Sequence, residues 1–425
     1  MPLRRARILF ATVGVVAVGG CRAKPTAPIA ATPDAGVSTS GAAARSFYAD
    51  RFSRKPKVSA ETELGRRLFF DTELSASGKM ACATCHDPAF AYGPPNDRST
   101  QLGGVDGQSV GLRAAPALRY LQTVPAFAEH HFDEGVDESI DRGPTGGHGW
   151  DGRADTTHDQ ARLPLTSKFE MANADVDSVV ARVARGPLAS QFRAVFGDDV
   201  FSDPVRGSTA LLLCLEVFQQ SPQDFYPYRS RYDAYLRKQI ELNPAELRGL
   251  ALFNNPLKGN CASCHPSQIT HDGFPNFTDF GFNAIGVPRN RALPANADPA
   301  FHDLGLCGPV RTDLAGHKDY CGAFRVPSLR NITLRRSFFH NGVFHRLEKV
   351  LEFYAERDTD PAKWYAKVDG RVVPFDDLPP AFHKNVNREA PFGGAPGTRP
   401  TLGKAEMRDI IAFLATLTDA DLTKK

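Results

Sequence analysis

The chain has 425 residues, of which 23% are charged and 42% hydrophobic, with 51 Lys and Arg against 48 Asp and Glu. So even a balance argues against nucleic acid as a partner. The length suffices for two domains with real cores, and no segment beyond the N-terminus has the roughly 18 uncharged apolar residues of a membrane span.

In chain order, Arg4, Arg5 and Arg7 precede an apolar run from Ile8 to Val18, which closes on Val18-Gly19-Gly20-Cys21. This pattern reads as a secretory signal over residues 1–20. Small residues directly before a cysteine predict cleavage ahead of Cys21 and lipid attachment to it. Removing the signal leaves 48 basic against 48 acidic residues. Residues 21–55 are rich in Ala, Pro, Thr, Ser and Gly and read as a flexible tether. The expected location is the periplasm, with a lipid anchor in a bacterial membrane.

The segment Leu64-Gly65-Arg66-Arg67-Leu68-Phe69-Phe70 predicts a short amphipathic helix leading into Cys82-Ala83-Thr84-Cys85-His86. A second helix, Leu247-Arg248-Gly249-Leu250-Ala251-Leu252-Phe253, leads into Cys261-Ala262-Ser263-Cys264-His265. Cys-x-x-Cys-His is the attachment sequence of a c-type haem: the thiols form thioethers to the porphyrin and the histidine binds iron. Zinc would require four ligands per site, and neither motif has a second Cys pair nearby. The echo between the halves predicts a duplicated c-type cytochrome domain. The expected fold is mainly α, with two cytochrome-like haem domains over residues 56–235 and 236–425, long irregular loops and few strands.

Further helical periodicity runs over Val176–Val183, Thr209–Gln220 and Lys404–Leu417. Asn243-Pro244-Ala245-Glu246 puts Pro at a first helical position with an acid in the first turn. Cys307 and Cys321 bracket a Gly/Pro-containing loop and read as a disulfide in an oxidising compartment. Closing that loop contributes about 3 kcal/mol on the chain-entropy account. Cys214, in an apolar helix, reads as a buried free thiol, with other pairings left open. His86 and His265 supply one axial ligand each, and the opposite face of each iron sets its chemistry. Of four methionines, Met1 leaves with the signal and Met80 is too close to Cys82, so Met171 and Met407 remain and Tyr or His enters consideration.

Three C-terminal segments carry a resemblance: Phe324-Arg325-Val326-Pro327-Ser328-Leu329-Arg330-Asn331, then Phe338-Phe339-His340-Asn341-Gly342, then Leu347 through Tyr354. So do Trp150-Asp151-Gly152-Arg153-Ala154, Gln160-Ala161, Pro164-Leu165 and Glu170-Met171. Together they resemble the bacterial dihaem cytochrome c peroxidase and MauG family across about residues 60–418. In the family's peroxidases a methionine binds the C-terminal haem. Here that position, fourteen residues beyond His340, is Tyr354, as in the MauG-like branch. The resemblance thus implies His265 and Tyr354 as ligands of the second iron. A phenolate is a hard anionic donor that favours oxidised iron.

The resemblance also implies a distal glutamate, Glu170, twenty residues beyond Trp150, moving a proton between the oxygens of peroxide by general acid–base work. Gln160 and Pro164 take the remaining pocket positions, and Trp150 the electron relay between haems. Some of the family's peroxidases cover the first iron at rest with a histidine, for which His130 or His131 is the candidate, whereas MauG-like proteins keep it open, the form that Tyr354 favours by family pattern; His148 and His158 also lie in that stretch. Family members hold a calcium ion between the haems through an asparagine before a Pro-Ser-Leu segment and backbone carbonyls. Ala115, in Arg113-Ala114-Ala115-Pro116-Ala117-Leu118, stands where that asparagine is expected, so one ligand is missing, and the one calcium ion that the resemblance implies is expected to bind through carbonyls and water.

The implied function is reduction of hydrogen peroxide through high-valent iron, with electrons from a small cytochrome c or cupredoxin. One alternative is oxidation of a tyrosine or tryptophan on a partner protein. Another, of a different class, is a non-catalytic dihaem electron carrier.

Overall fold

The structure, a computed structural model, describes residues 58–132, 141–270 and 273–423. The expected signal, the lipidation site Cys21 and the tether lie outside the described residues. The α-helices of six residues or more are α1 (Ala60–Phe69), α2 (Thr157–Thr166), α3 (Val176–Arg185), α4 (Ala189–Phe196), α5 (Pro204–Gln219), α6 (Arg231–Leu236), α7 (Pro244–Asn254), α8 (Leu347–Glu356) and α9 (Lys404–Ala415). Among the described residues the strands form three two-stranded antiparallel ladders: β1 (Leu102–Gly103) with β2 (Ser109–Val110), β3 (Phe282–Asn283) with β4 (Phe324–Arg325), and β5 (Lys367–Val368) with β6 (Arg371–Val372). Phe282 faces Arg325 across the second. The fold is mainly α, joined by long irregular segments.

Local chemistry sets the helix ends. Ser59 caps α1 by accepting from the Thr62 amide, with Glu61 and Glu63 in the first turn and Arg66 and Arg67 in the last, matching the helix dipole. Asn243 and Glu246 form a reciprocal capping box at α7, with Pro244 where its missing N–H costs nothing. α5 begins at Pro204, earlier than the expected Thr209. Pro-Val-Arg-Gly reads as loop in isolation, but Asp203 accepts from the Val205 amide and Pro204 takes the first helical position. α3 runs past Val183 to Arg185, and α9 stops at Ala415, short of Leu417.

The two largest apolar cores form around these helices. One gathers Leu64, Leu68, Phe69, Leu211, Leu215 and Phe218 around α1 and α5; the other gathers Phe253, Phe277, Leu351, Ile410 and Phe413 around α7, α8 and α9. Met171 packs in the first and Met407 in the second. The echoed glycines explain both helix pairs. A Cβ on Gly65 would lie 1.8 Å from the Cys214 carbonyl oxygen of α5, and one on Gly249 would lie 2.0 Å from the Asp409 carbonyl oxygen of α9. Either overlap requires backbone to move. Gly249→Ala is therefore expected to destabilise by at least the roughly 1–3 kcal/mol typical of overpacking. An unchanged urea midpoint would contradict this helix contact.

Buried ion pairs join distant parts of the chain. Arg330 pairs with Asp233 at 2.8 Å, both fully buried, and Arg119 reaches Asp419 at 2.8 Å and Asp421 at 2.7 Å. Arg113 bridges Asp151 and Asp303. Removing one partner of such a pair strands a buried charge. Cys307 and Cys321 are bonded, with S–S 2.00 Å, and Cys214 is a buried free thiol.

Candidate functional site

Each Cys-x-x-Cys-His segment presents its histidine in the same way. His86 Nδ1 donates to the Tyr92 carbonyl at 3.0 Å, and His265 Nδ1 donates to the Phe277 carbonyl at 2.7 Å. Both acceptors lie in the left-handed region, each at φ 55°, a conformation costly for an aromatic residue and tolerated where surroundings enforce it. The enforcement is aromatic packing: Tyr92 meets Phe69 at 5.6 Å and Phe277 meets Phe253 at 6.1 Å, both edge-on. With Nδ1 committed, Nε2 is the nitrogen each ring has left for a metal, the arrangement of metal-binding imidazoles, although the Pro116 carbonyl also acts on the His86 ring. Burial lowers both histidines to about 4, so both rings are neutral. Cys82, Cys85, Cys261 and Cys264 are free, and burial pushes the first three up to about 12 and the last to about 11. Unpaired neutral thiols beside a free imidazole nitrogen fit covalent haem at both sites.

A large cavity lies against the second motif. Its wall includes Cys261, Cys264, His265, Tyr354, Trp150 and Arg325. Tyr354, on α8, stacks on Phe392 at 5.0 Å, and burial raises its phenol well above the ordinary tyrosine value. Two buried polar atoms on this wall have no protein partner: Arg325 Nη1 and His340 Nε2. Such orphans are rare in native interiors. An orphaned guanidinium nitrogen suits a carboxylate, which a haem carries on its edge. Neither residue was singled out from the sequence as a site residue, since nothing in a lone Arg or His marks it as unpaired.

Trp150 lines the same cavity. Its indole Nε1 donates to the Ala114 carbonyl at 2.7 Å, and its own carbonyl accepts from the Arg325 amide at 2.9 Å. Arg325 also borders a smaller cavity with His148 and Gln160. Gln160 and Pro164 lie four apart on α2, hence on one face. Because Pro164 has no N–H, the Gln160 carbonyl loses its helical partner.

Glu170 lines neither cavity and lies toward the first motif, where its charge is felt at Cys82 and Cys85. Its backbone is clamped: its carbonyl accepts from the Gly104 amide at 2.8 Å, and its amide donates to Ser167 at 2.9 Å. Gly103 permits this approach, since a Cβ there would lie 2.0 Å from the Phe169 carbonyl oxygen. By surface area the residue is exposed, yet the protein packed around it raises its carboxyl above the ordinary glutamate value by desolvation, against the opposing pull of Arg153.

The competing histidines sort themselves. His130 is exposed and bonded to Asp141 at 2.6 Å, which places it on the surface rather than over an iron. His148 is buried beside Gln160, and His158 faces Glu216 at 3.9 Å. Calcium does not fit the expected place. Ala115 offers no side-chain oxygen, its carbonyl accepts from Arg335 Nη2 at 3.1 Å, and no cluster of three or more His, Cys, Asp or Glu suited to a metal occurs among the described residues.

A family model described as di-haem cytochrome c peroxidase matches residues 59–241. The methylamine utilization protein MauG of Paracoccus denitrificans is 33% identical over 379 residues, covering 86% of this chain and 90% of that one. The crystal structure of the diheme peroxidase BthA from Burkholderia thailandensis superposes with a TM-score of 0.76 at 41% identity, covering 87% of each chain. A MauG-like protein associated with microbial copper homeostasis superposes at 0.60 with 25% identity, covering 86% of this chain and 91% of that one. With paired haem-attachment motifs, matching histidine geometry and relatives aligned along nearly their whole length, the chain belongs to the dihaem cytochrome c peroxidase and MauG family and is a peroxidase-type oxidoreductase.

Proposed function

We propose that the protein reduces hydrogen peroxide to two waters at the haem held by Cys82, Cys85 and His86, in a domain spanning residues 56–235. In a second domain, residues 236–425, Cys261, Cys264 and His265 would hold the other haem, which would supply a second redox-active iron. When bound, the haems supply redox-active iron for the two-electron reduction. The observation that carries the reading is the inequality of the two sites. Near the first motif stands Glu170, a carboxyl raised above its ordinary value, whereas in the second cavity a tyrosine, Tyr354, lies with His265.

Glu170 takes the proton from the near oxygen of peroxide and returns it to the far one, so that the leaving oxygen departs as water. Gln160 hydrogen-bonds peroxide, and Pro164 narrows access. Tyr354 and His265 are the residues that would hold the iron of the second haem. Burial disfavours a free phenolate at Tyr354, and a bound ferric iron would supply the positive charge that favours it. Trp150, whose indole is fixed on the Ala114 carbonyl, is the side chain that would relay charge between the two haems.

Two one-electron donations complete the cycle. The donor is a small cytochrome c or cupredoxin in the periplasm, where lipid at Cys21 holds the protein to the membrane. Calcium has no part in this proposal. The extensive match to MauG favours a second reading, in which electrons come from a tyrosine or tryptophan on a partner protein. The test is steady-state peroxide consumption with reduced cytochrome c, reduced cupredoxin or no donor. Donor oxidation at two equivalents per peroxide supports the proposal. Peroxide consumption with neither donor oxidised would move the assignment to the partner-protein reading, and no consumption at all would leave an electron carrier.

A further inference from the structure

The chain stretch 114–116 and the stretch 335–337 meet beside Trp150, and a single arginine joins them. Arg335 Nη2 donates to the Ala115 carbonyl at 3.1 Å and its Nε donates to the Ser337 carbonyl at 3.0 Å. Two more bonds fasten the same place: the Ala114 amide donates to the His340 carbonyl at 2.7 Å, and Ser337 Oγ donates to the Ser99 carbonyl at 3.2 Å. The Ala114 carbonyl in turn holds the Trp150 indole.

Arg335 differs from the arginines that tie the chain together through aspartates. Arg113, Arg119, Arg289 and Arg330 each pair with an aspartate. Arg335 has no carboxylate partner among the described residues. Its side chain is half-buried on the cavity wall, and desolvation alone brings it down to about 10, so it stays charged at neutral pH. Its acceptors are neutral carbonyl oxygens converging from two distant stretches of chain. That donor set suits a hard cation, and a guanidinium offers a permanent charge with several N–H donors in a fixed plane.

We propose that the Arg335 guanidinium is the resident cation of this junction. It joins the Ala115 carbonyl to that of Ser337 in the place where the sequence led us to expect calcium, and the protein binds no calcium there. The proposal is independent of the electron donor and of the role given to Glu170. Its consequence is a junction indifferent to calcium supply, with a fixed positive charge whose field reaches His86.

The test uses the dihaem protein equilibrated with calcium chloride, desalted, and assayed for calcium against iron by mass spectrometry. The expected result is no stoichiometric calcium, with a thermal midpoint and haem spectrum unchanged by EGTA. Arg335→Ala should lower the midpoint and alter the electron paramagnetic resonance signal of the His86 haem, with Arg335→Lys falling between. One calcium retained per two irons, or a midpoint that drops on chelation, would overturn the proposal. So would an Arg335→Ala variant with unchanged midpoint and resonance signal. If Arg335→Ala does not fold, the metal content and chelator response of the wild-type protein decide.

Discussion

Glu170→Gln lowers peroxide turnover by about 10²–10⁴-fold, the range that a positioned acid–base group contributes, while both haems stay attached. The amide keeps the shape and the clamped backbone around Gly103 and Gly104 but cannot accept a proton. The pH dependence follows from the direction of the shift. Desolvation raises the Glu170 carboxyl above the ordinary glutamate value, and the base form is the one that accepts the proton from peroxide. Activity therefore climbs with pH along a limb lying above the ordinary carboxylate range, and the glutamine variant lacks that limb. Stability runs the other way. A carboxyl raised on folding adds stability at pH below its unfolded value and loses it as pH rises through the folded value. At neutral pH the glutamine variant should be at least as stable as the wild type. Stopped-flow peroxide kinetics across pH, paired with thermal melts, check both halves; a variant that loses stability and activity together would assign Glu170 a structural role.

Tyr354→Met raises the reduction potential of the second haem by an amount on the order of 0.1 V or more. Axial ligands spread haem potentials over roughly 0.8 V, with methionine at the high end. The phenolate proposed here is an anionic donor that stabilises oxidised iron, and a thioether removes that anion. The site tolerates the change sterically: the Tyr354 ring lies between Phe339 at 6.0 Å and Phe392 at 5.0 Å, and an unbranched thioether fits between flat aromatic faces. Spectroelectrochemical titration reads the shift. A potential unchanged by the substitution would mean that Tyr354 does not touch the iron, and its place in the cavity would then be packing.

The covalent chemistry was legible in the sequence because contiguous residues carry it. Cys82 to His86 and Cys261 to His265 state their purpose without a fold. The echo around Gly65 and Gly249 was legible as a pattern, but its reason, backbone of a partner helix at contact distance, exists only in three dimensions. The same holds for the carbonyls of Tyr92 and Phe277. Their left-handed conformation comes from packing against Phe69 and Phe253, and no local propensity announces it in an aromatic residue. The start of α5 at Pro204 was hidden because Pro and Gly read as loop until a cap is seen. The calcium expectation came from resemblance: Ala115 already showed a missing side-chain ligand, while Arg335, one of a Leu-Arg-Arg-Ser run, gave no hint of its bond to the Ala115 carbonyl.

The central claim is that only one of the two iron sites admits a small oxidant. It is tested most directly by mixing the diferric protein with one equivalent of hydrogen peroxide and following haem absorption and paramagnetic resonance together. The account predicts one high-spin and one low-spin ferric signal before mixing, rapid loss of both on mixing, and a marked delay in Glu170→Gln. Two low-spin signals that persist unchanged in excess peroxide would contradict it.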